Sequence, residues 1–152
     1  MIHLADAKPG DEKAIAVLCA ELDEYYGDAP QGSPAERAVQ VSITLFGEQP
    51  VARALLAWDG PALTGFASYS LLWPAAGLSS SLYLKEIYVA SAYRRTGIGR
   101  LLMDRLRSIA VELGCSRVEW TTDTSNADAQ AFYEELGAKP LTSKIFYRIP
   151  IH

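Results

Sequence analysis

Residues 93–100, "YRRTGIGR", combine three arginines with two glycines directly before an amphipathic run. An apolar run precedes them, so they lie between a predicted strand and a predicted helix. The first N–H groups of such a helix have no acceptor within it, and the helix dipole favours an anion there. Gly97 and Gly99 lack a Cβ, so a phosphate oxygen can approach the backbone, and the arginines supply opposite charge. The segment predicts a pyrophosphate site, with a basic, glycine-rich helix start that binds no ligand as the alternative.

Two common phosphate-binding motifs fit this segment poorly. A dinucleotide fingerprint needs G-x-G-x-x-G early in a βαβ unit, whereas the third position after Gly99 is Leu102. A nucleoside-triphosphate P-loop needs G-x-x-x-x-G-K-S/T, which does not occur in the chain.

The pattern that does fit is R/Q-x-x-G-x-G/A, formed by Arg94, Gly97 and Gly99, and in it the chain resembles the GNAT superfamily of N-acetyltransferases. The resemblance implies that this turn holds the pyrophosphate of acetyl-coenzyme A. It also implies that the preceding strand, "IYV", pairs through its main chain with the pantetheine arm and polarises the thioester carbonyl. The cofactor residues implied here are Ile87, Tyr88, Val89, Arg94, Arg95, Thr96, Gly97, Ile98, Gly99 and Arg100.

A second segment, "NADAQAFYEELGA", resembles the other cofactor segment of the superfamily, with Asn126, Ala129, Phe132 and Tyr133 in an N-x-x-A-x-x-F-Y pattern. Asn126 and Tyr133 are two helical turns apart, so they share a face about 10 Å apart along the axis. Ala129 between them leaves room for a thin ligand arm. Taken alone, Phe132 and Tyr133 fit core aromatics equally well, but the two motifs in order on successive helices favour the cofactor interpretation.

Much of the chain also resembles the diamine (spermidine/spermine) and thialysine acetyltransferase branch, through "AELDEYY", "LFGEQP", "LTGFASYSLLW" and "LYLKEIYVASAYRRTGIG". Two positions differ from the polyamine enzymes, which carry acidic residues where this chain has Tyr26 and Lys85. A cation at position 85, where those enzymes have a carboxylate, disfavours a polyamine as the substrate. Lys85 either pairs with the carboxylate of an amino-acid-like amine or is an exposed strand residue without a role.

Acetyl transfer to an amine needs a base, charge stabilisation at the carbonyl oxygen and a proton for the departing thiolate. We predict Glu86 as the base, with Glu21 and Glu24 as weaker candidates acting through water; the alternative for Glu86 is a solvated residue paired with Lys85. A main-chain N–H in the 87–89 strand would meet the carbonyl oxygen. Tyr133 would donate to the thiolate. The predicted acceptor-binding residues are Glu21, Glu24, Tyr26 and Lys85.

Other functions remain possible on the sequence alone. A catalytically idle GNAT domain that binds acyl-coenzyme A would keep the turn and lose the acid, so Tyr133 favours an enzyme. The acceptor could also be a protein or peptide N-terminus rather than a small molecule. A basic helix contacting nucleic acid through Arg100, Arg105 and Arg107 is disfavoured by interspersed acidic residues and a pI of about 5.2.

The elements that must position these residues follow the order βααβββαβαβ. Helical periodicity predicts helices at residues 12–26, 33–47, 98–113 and 126–136, and the second has the capping pattern "SPAE". Strands are predicted at residues 1–4, 51–58, 63–73, 82–89, 117–121 and 141–149, with Asp59-Gly60 forming a hairpin turn. The predicted class is α/β (mixed α+β), and the resemblance implies a GNAT-type fold, a mostly antiparallel twisted sheet with splayed strands 4 and 5 and helices on both faces.

Length and composition predict one soluble domain spanning residues 1–152. Of the 152 residues, 49% are apolar and 21% charged, which is ordinary globular composition. Two cysteines without a secretory segment predict reduced thiols and a cytoplasmic protein. No apolar run reaches the roughly 20 residues of a membrane span, and no metal-ligand spacing occurs. A small-molecule amine, rather than nucleic acid or membrane, is therefore the expected partner, and the branch resemblance implies a homodimer.

Overall fold

The computed structural model describes all residues from Met1 to His152 and separates into two compact units, Met1–Trp120 and Thr121–His152. The first unit contains a five-stranded sheet and three helices. Its elements in chain order are β1 (Ile2–Asp6), α1 (Glu12–Tyr25), α2 (Pro34–Phe46), β2 (Arg53–Asp59), β3 (Ala62–Leu72), β4 (Ser80–Val89), α3 (Ile98–Glu112) and β5 (Cys115–Glu119). The second unit contains one helix, α4 (Ala127–Glu135).

The sheet has the order β1-β2-β3-β4-β5, antiparallel between its first four strands and parallel between β4 and β5. Gly60 has a φ of +56° between β2 and β3, which a glycine adopts without strain, so the predicted hairpin is confirmed. β5 pairs only with residues Ser80 to Tyr83 of β4, so the rest of β4 has no strand neighbour on that side. The predicted mixed sheet with diverging fourth and fifth strands is confirmed.

Helices cover both faces of the sheet. On one face, Ile15 and Leu18 of α1 belong to a buried cluster with Leu56, Phe66 and Tyr88. On the other face, Ile98 of α3 approaches so closely that a Cβ added to Gly65 would lie 3.3 Å from its side chain. The burial of apolar side chains on both faces drives this layered arrangement.

The predicted helix starts and stops are confirmed to within a few residues. Ser33 caps α2: its Oγ accepts from Glu36 N–H at 3.1 Å, and the Glu36 carboxylate accepts from Ser33 N–H at 3.3 Å. Gly114 and Gly137, with φ of +73° and +87°, follow α3 and α4 as left-handed stops.

The predicted final strand at residues 141–149 is wrong. This stretch has no regular secondary structure and pairs with no strand. Its large apolar side chains are 61–86% exposed, namely those of Leu141, Ile145, Phe146, Tyr147 and Ile149. A segment with alternating apolar residues forms a strand only if its N–H and C=O groups pair with a sheet edge and its apolar face packs against a core. This stretch has neither a sheet edge to pair with nor a core to cover it. None of the helices is long and apolar enough to cross a membrane.

Candidate active site

The turn between β4 and α3 presents a row of backbone N–H groups. Arg95 and Gly97 have positive φ values of +62° and +88°, which break the chain direction just before the helix. Gly97 is the N-cap of α3 without a side-chain cap, and the first helical hydrogen bond runs from Leu101 N–H to the Gly97 carbonyl at 3.1 Å. The N–H groups of the first helical residues, Ile98 to Arg100, therefore have no acceptor in the helix. Thr96 donates from its hydroxyl to the Tyr93 carbonyl, which stabilises the turn.

This turn fits an anion. Successive N–H groups in alternating right- and left-handed conformations form a concave donor site, and the dipole of α3 adds positive potential. A Cβ at Gly97 would meet no protein atom within 4 Å, so the concavity is open. The side chains of Arg94, Arg95 and Arg100 are exposed around it.

The open edge of β4 leads into this turn. Ala90 N–H donates to the carbonyl of Thr64 in β3 at 2.8 Å, so the N–H of Ala90 faces β3. Because hydrogen-bonding direction alternates along an antiparallel strand, the main-chain groups of Val89 and Ile87 point away from β3, toward the side that β5 leaves open. Those of Tyr88 point toward β3. Of the three predicted main-chain ligands, Ile87 and Val89 therefore lie on the edge of β4 that no strand covers.

Arg94 contacts the aromatic residues beside this edge. Its Nε donates to the Val89 carbonyl at 3.2 Å, and its guanidinium lies 4.7 Å from the ring centre of Tyr25 and 5.3 Å from that of Tyr88. These are cation–π distances. Sequence reasoning missed Tyr25, because nothing local connects it with an arginine about 70 positions away.

Glu86 lies on the α1 side of β4, where a β-bulge shifts the register between Ser68 and Tyr69. Its Oε1 accepts from the Tyr26 hydroxyl at 3.5 Å. Burial raises the pKa of Glu86, opposed by the charge of Lys85, the Ile87 N–H and the Tyr26 hydroxyl. A carboxylate with a raised pKa beside the open edge can take a proton from an amine. Lys85 itself is exposed.

The other two carboxylates that were predicted as candidates differ in their surroundings. Glu21 accepts from the Tyr88 hydroxyl at 2.6 Å and from Ser91 N–H at 3.3 Å. Burial and this carboxylate together raise the pKa of Tyr88 to about 12. Glu24 is exposed. Glu21 therefore joins α1 to the start of the turn, and this structural role leaves it less suited than Glu86 to act as a base.

The second unit carries the remaining predicted residues. Asn126 precedes α4 as its N-cap rather than lying inside the helix, because its side-chain oxygen accepts from Ala129 N–H at 3.1 Å. The rings of Phe132 and Tyr133 are 5.4 Å apart, and both side chains are half-buried. Three or more His, Cys, Asp or Glu side chains nowhere converge as metal ligands would.

Comparison with known proteins shows the family to which the chain belongs. The sequence profile of the acetyltransferase (GNAT) family matches residues 15–138, which include both predicted cofactor segments. The chain belongs to the GNAT family. It is an acyltransferase that uses acetyl-coenzyme A, and the donor-lined turn and the open edge of β4 fit the phosphate groups and the extended arm of that cofactor.

Similar proteins agree with this assignment. The chain is 30% identical to a thialysine N-epsilon-acetyltransferase of Bos taurus over 93% of this chain and 86% of that protein. It is 31% identical to a D-amino-acid N-acetyltransferase of Saccharomyces cerevisiae, again over 93% and 86%. An integron cassette protein from the mobile metagenome of V. cholerae has a similar structure, with a TM-score of 0.90 and 30% identity over 98% of this chain and 92% of that one.

Proposed function

We propose that this GNAT enzyme acetylates the primary amine of a small, amino-acid-like molecule in a ternary complex. The observation that carries the proposal is the position of Glu86, a half-buried carboxylate of raised pKa on the same strand as Ile87 and Val89, beside the edge that β5 leaves uncovered. A base beside an extended-ligand site is the arrangement that direct attack by an amine requires.

Different residues of the chain hold different parts of the cofactor in this proposal. The N–H groups of residues 95–100 and the three arginines hold the phosphate groups, and Ile87 and Val89 hold the extended arm. Asn126, Ala129 and Phe132 form the second contact segment. Acetyl-coenzyme A, when bound, supplies an acetyl group activated as a thioester.

Glu86 accepts the proton of the acceptor ammonium, so that the neutral nitrogen can attack. A main-chain N–H of the 87–89 strand donates to the carbonyl oxygen where negative charge develops. Tyr133 donates a hydrogen bond to the departing sulfur. A thiol pKa of roughly 8.5 lies below the roughly 10 of a phenol, so a hydrogen bond rather than full proton transfer is the role assigned to Tyr133.

Lys85 determines the acceptor class in this proposal. Its ammonium is exposed beside Glu86 and would pair with the carboxylate of an amino acid while Glu86 receives the amine. Similarity to the thialysine and D-amino-acid enzymes supports this assignment, since both act on molecules that carry a carboxylate. A polyamine has no carboxylate and would place a second cation near Lys85.

Both units belong to one catalytic domain, residues 1–152, in this proposal. The match to the family profile runs from residue 15 to residue 138 and so crosses the boundary at residue 120, which supports one domain.

A substrate screen tests the proposed function directly. Purified protein is incubated with acetyl-coenzyme A and a panel of thialysine, ornithine, D-amino acids, aminoglycosides, polyamines and peptides, and thiol release is recorded. We expect the highest kcat/KM with an amine that carries a carboxylate. Coenzyme A binding without turnover of any amine would instead indicate an idle acyl-coenzyme A-binding domain.

A further inference from the structure

Arg37 of α2 is a partly buried cation with one unsatisfied nitrogen. Its side chain is only 16% exposed, and its Nη2 lies 3.2 Å from the Asp23 carboxylate. Its Nη1 donates to the Gln31 carbonyl at 3.2 Å. Its Nε is buried and has no hydrogen-bond partner. A buried donor without a partner destabilises the folded state, so the contacts of Nη1 and Nη2 are kept although Nε has none.

These two contacts hold the connection between α1 and α2. This connection, residues 26–33, contains Gly27 and Gly32 with φ of +82° and +81°, a conformation that gives the chain sharp bends near both of its ends. Arg37 binds Asp23 before the connection and Gln31 within it. One side chain therefore fixes both ends of a segment that has no helix or strand of its own.

Asp23 forms hydrogen bonds with both Arg37 and Tyr26. The Asp23 carbonyl accepts from Tyr26 N–H at 3.1 Å and from Asp28 N–H at 2.8 Å, while its carboxylate binds Arg37. Tyr26 ends α1 and places its hydroxyl 3.5 Å from Glu86. Burial raises the pKa of the Cys19 thiol, and the charges of Arg37 and Glu86 act on it in opposite directions, so Cys19 lies within electrostatic range of both groups.

We propose that Arg37 is a positioning residue for the acceptor site, which acts through Asp23 to hold the Tyr26 hydroxyl against Glu86. Any effect of Arg37 on catalysis rests on the proposed function, but the contact between the Tyr26 hydroxyl and Glu86 can be measured without turnover. Arg37 touches neither the turn that binds the cofactor nor Glu86 itself, so its effect falls on the acceptor side alone.

The direct test measures the pKa of Glu86 by carbon-13 NMR titration of glutamate-labelled protein. Lys85 on β4 and Tyr26 and Cys19 on α1 are the titratable groups that face this carboxyl. Tyr26→Phe should raise the pKa of Glu86, because the hydroxyl hydrogen bond favours the ionised form. Arg37→Met should raise it by a similar amount, and the double variant should add nothing further.

Arg37→Lys separates position from charge, since lysine keeps the charge beside Asp23 but replaces the planar fork, whose two nitrogens bind Asp23 and Gln31, with a single nitrogen. We expect Arg37→Lys to raise the pKa of Glu86 as Arg37→Met does. The lysine variant also replaces Arg37→Met in the test if the methionine variant fails to fold. Arg105→Met is the matched control, because Arg105 forms a similar ion pair with Glu112 at 2.9 Å on α3; it should leave Glu86 unchanged.

Kinetics with thialysine as the acceptor provide the second readout. Both Arg37 variants should raise the KM for thialysine about tenfold while CoA affinity by calorimetry stays unchanged. A lower melting temperature with unaltered KM and unaltered Glu86 pKa would show that Arg37 only stabilises the fold, and restoration of both by lysine would show that only its charge matters. If the unaltered protein acetylates no amine, the proposed function fails, and the NMR titration still decides the role of Arg37.

Discussion

Glu86, the proposed base, meets two opposing requirements, because a base must be ionised at the working pH whereas burial favours its neutral form. The structure balances these through an exposed cation, Lys85, and a phenol, Tyr26, which both favour the ionised carboxylate. The net direction is a raised pKa, which brings the group closer to neutral pH and makes it a stronger base.

Glu86→Gln should abolish the acidic limb of the pH profile. In the unaltered protein, kcat/KM for the amine should rise with pH through the raised pKa of Glu86, as the carboxyl loses its proton. The glutamine variant should lose kcat about 10²-fold or more and show no such limb, because an amide accepts no proton. Steady-state rates across the pH range check this. An unchanged profile would assign the proton transfer to another group.

Glu86→Gln should increase stability at neutral pH although it lowers activity. A carboxyl whose folded-state pKa is raised binds its proton more tightly in the folded protein, so stability falls as pH rises from the unfolded to the folded pKa. Glu86→Gln should therefore raise the melting temperature at neutral pH and have less effect in acid, below both pKa values. Thermal melts at neutral pH and in acid measure the difference. An equal effect at both would show that burial does not raise the pKa of Glu86.

Tyr133→Phe tests the assignment of the thiolate partner. The ring that packs beside Phe132 is kept, so fold and CoA affinity should be retained, while kcat should fall roughly 10²-fold through loss of one positioned donor. Melting curves and steady-state kinetics on this one variant check both parts. A small loss of stability with nearly unchanged turnover would mean that Tyr133 only packs, with water or the attacking amine as the proton source.

At the scale of elements, the turn before α3 needs a glycine at position 97 because of its backbone conformation, not because neighbouring protein atoms would clash with a side chain. Gly97 has a φ of +88°, and a Cβ there would meet no protein atom within 4 Å. A side chain would therefore strain the turn and also occupy the open concavity that the N–H groups line.

Gly97→Val should weaken CoA binding more than tenfold, equivalent to about 1.4 kcal/mol, for these two reasons. Gly114→Val is the matched control, because Gly114 has a φ of +73° at the other end of α3 and is equally free of neighbours within 4 Å. The control should lose stability without losing affinity for CoA. Calorimetric affinities that fall equally in both variants would indicate general strain rather than loss of the phosphate site.

At the scale of the whole molecule, the distribution of charge bears on the proposed choice of substrate. The net charge of −4 does not attract nucleic acid in general, and the basic residues of α3 include Arg105, which is paired with Glu112. The cations that remain exposed around the turn, Arg94, Arg95 and Arg100, fit the phosphates of a bound cofactor.

Acceptor preference should follow the charge at position 85. The unaltered protein should use spermidine and spermine poorly compared with thialysine, and Lys85→Glu should shift the ratio of kcat/KM values toward polyamines, because a carboxylate pairs with the second amine. Comparing the three acceptors in both proteins measures this ratio. Efficient spermine acetylation by the unaltered protein would contradict the amino-acid assignment.

Local sequence determined most of the elements and the cofactor turn. The capping box at Ser33, the glycine stop at Gly114 and the R-x-x-G-x-G turn each act within a few residues, so their patterns alone predict them. The family resemblance depended on the turn motif and on the segment that begins at Asn126, in that order, and the match to the family profile confirmed it.

Tertiary structure alone decided which side chains meet. Tyr26 and Glu86 are 60 positions apart, and Glu21 and Tyr88 are 67 apart, so no local pattern predicts either hydrogen bond. The same limit explains the wrong strand at residues 141–149, since a strand exists only through a partner that lies elsewhere in the chain. Periodicity reports what a segment could form on its own, whereas pairing and burial depend on the free energy of contacts between distant segments, which only the folded chain specifies.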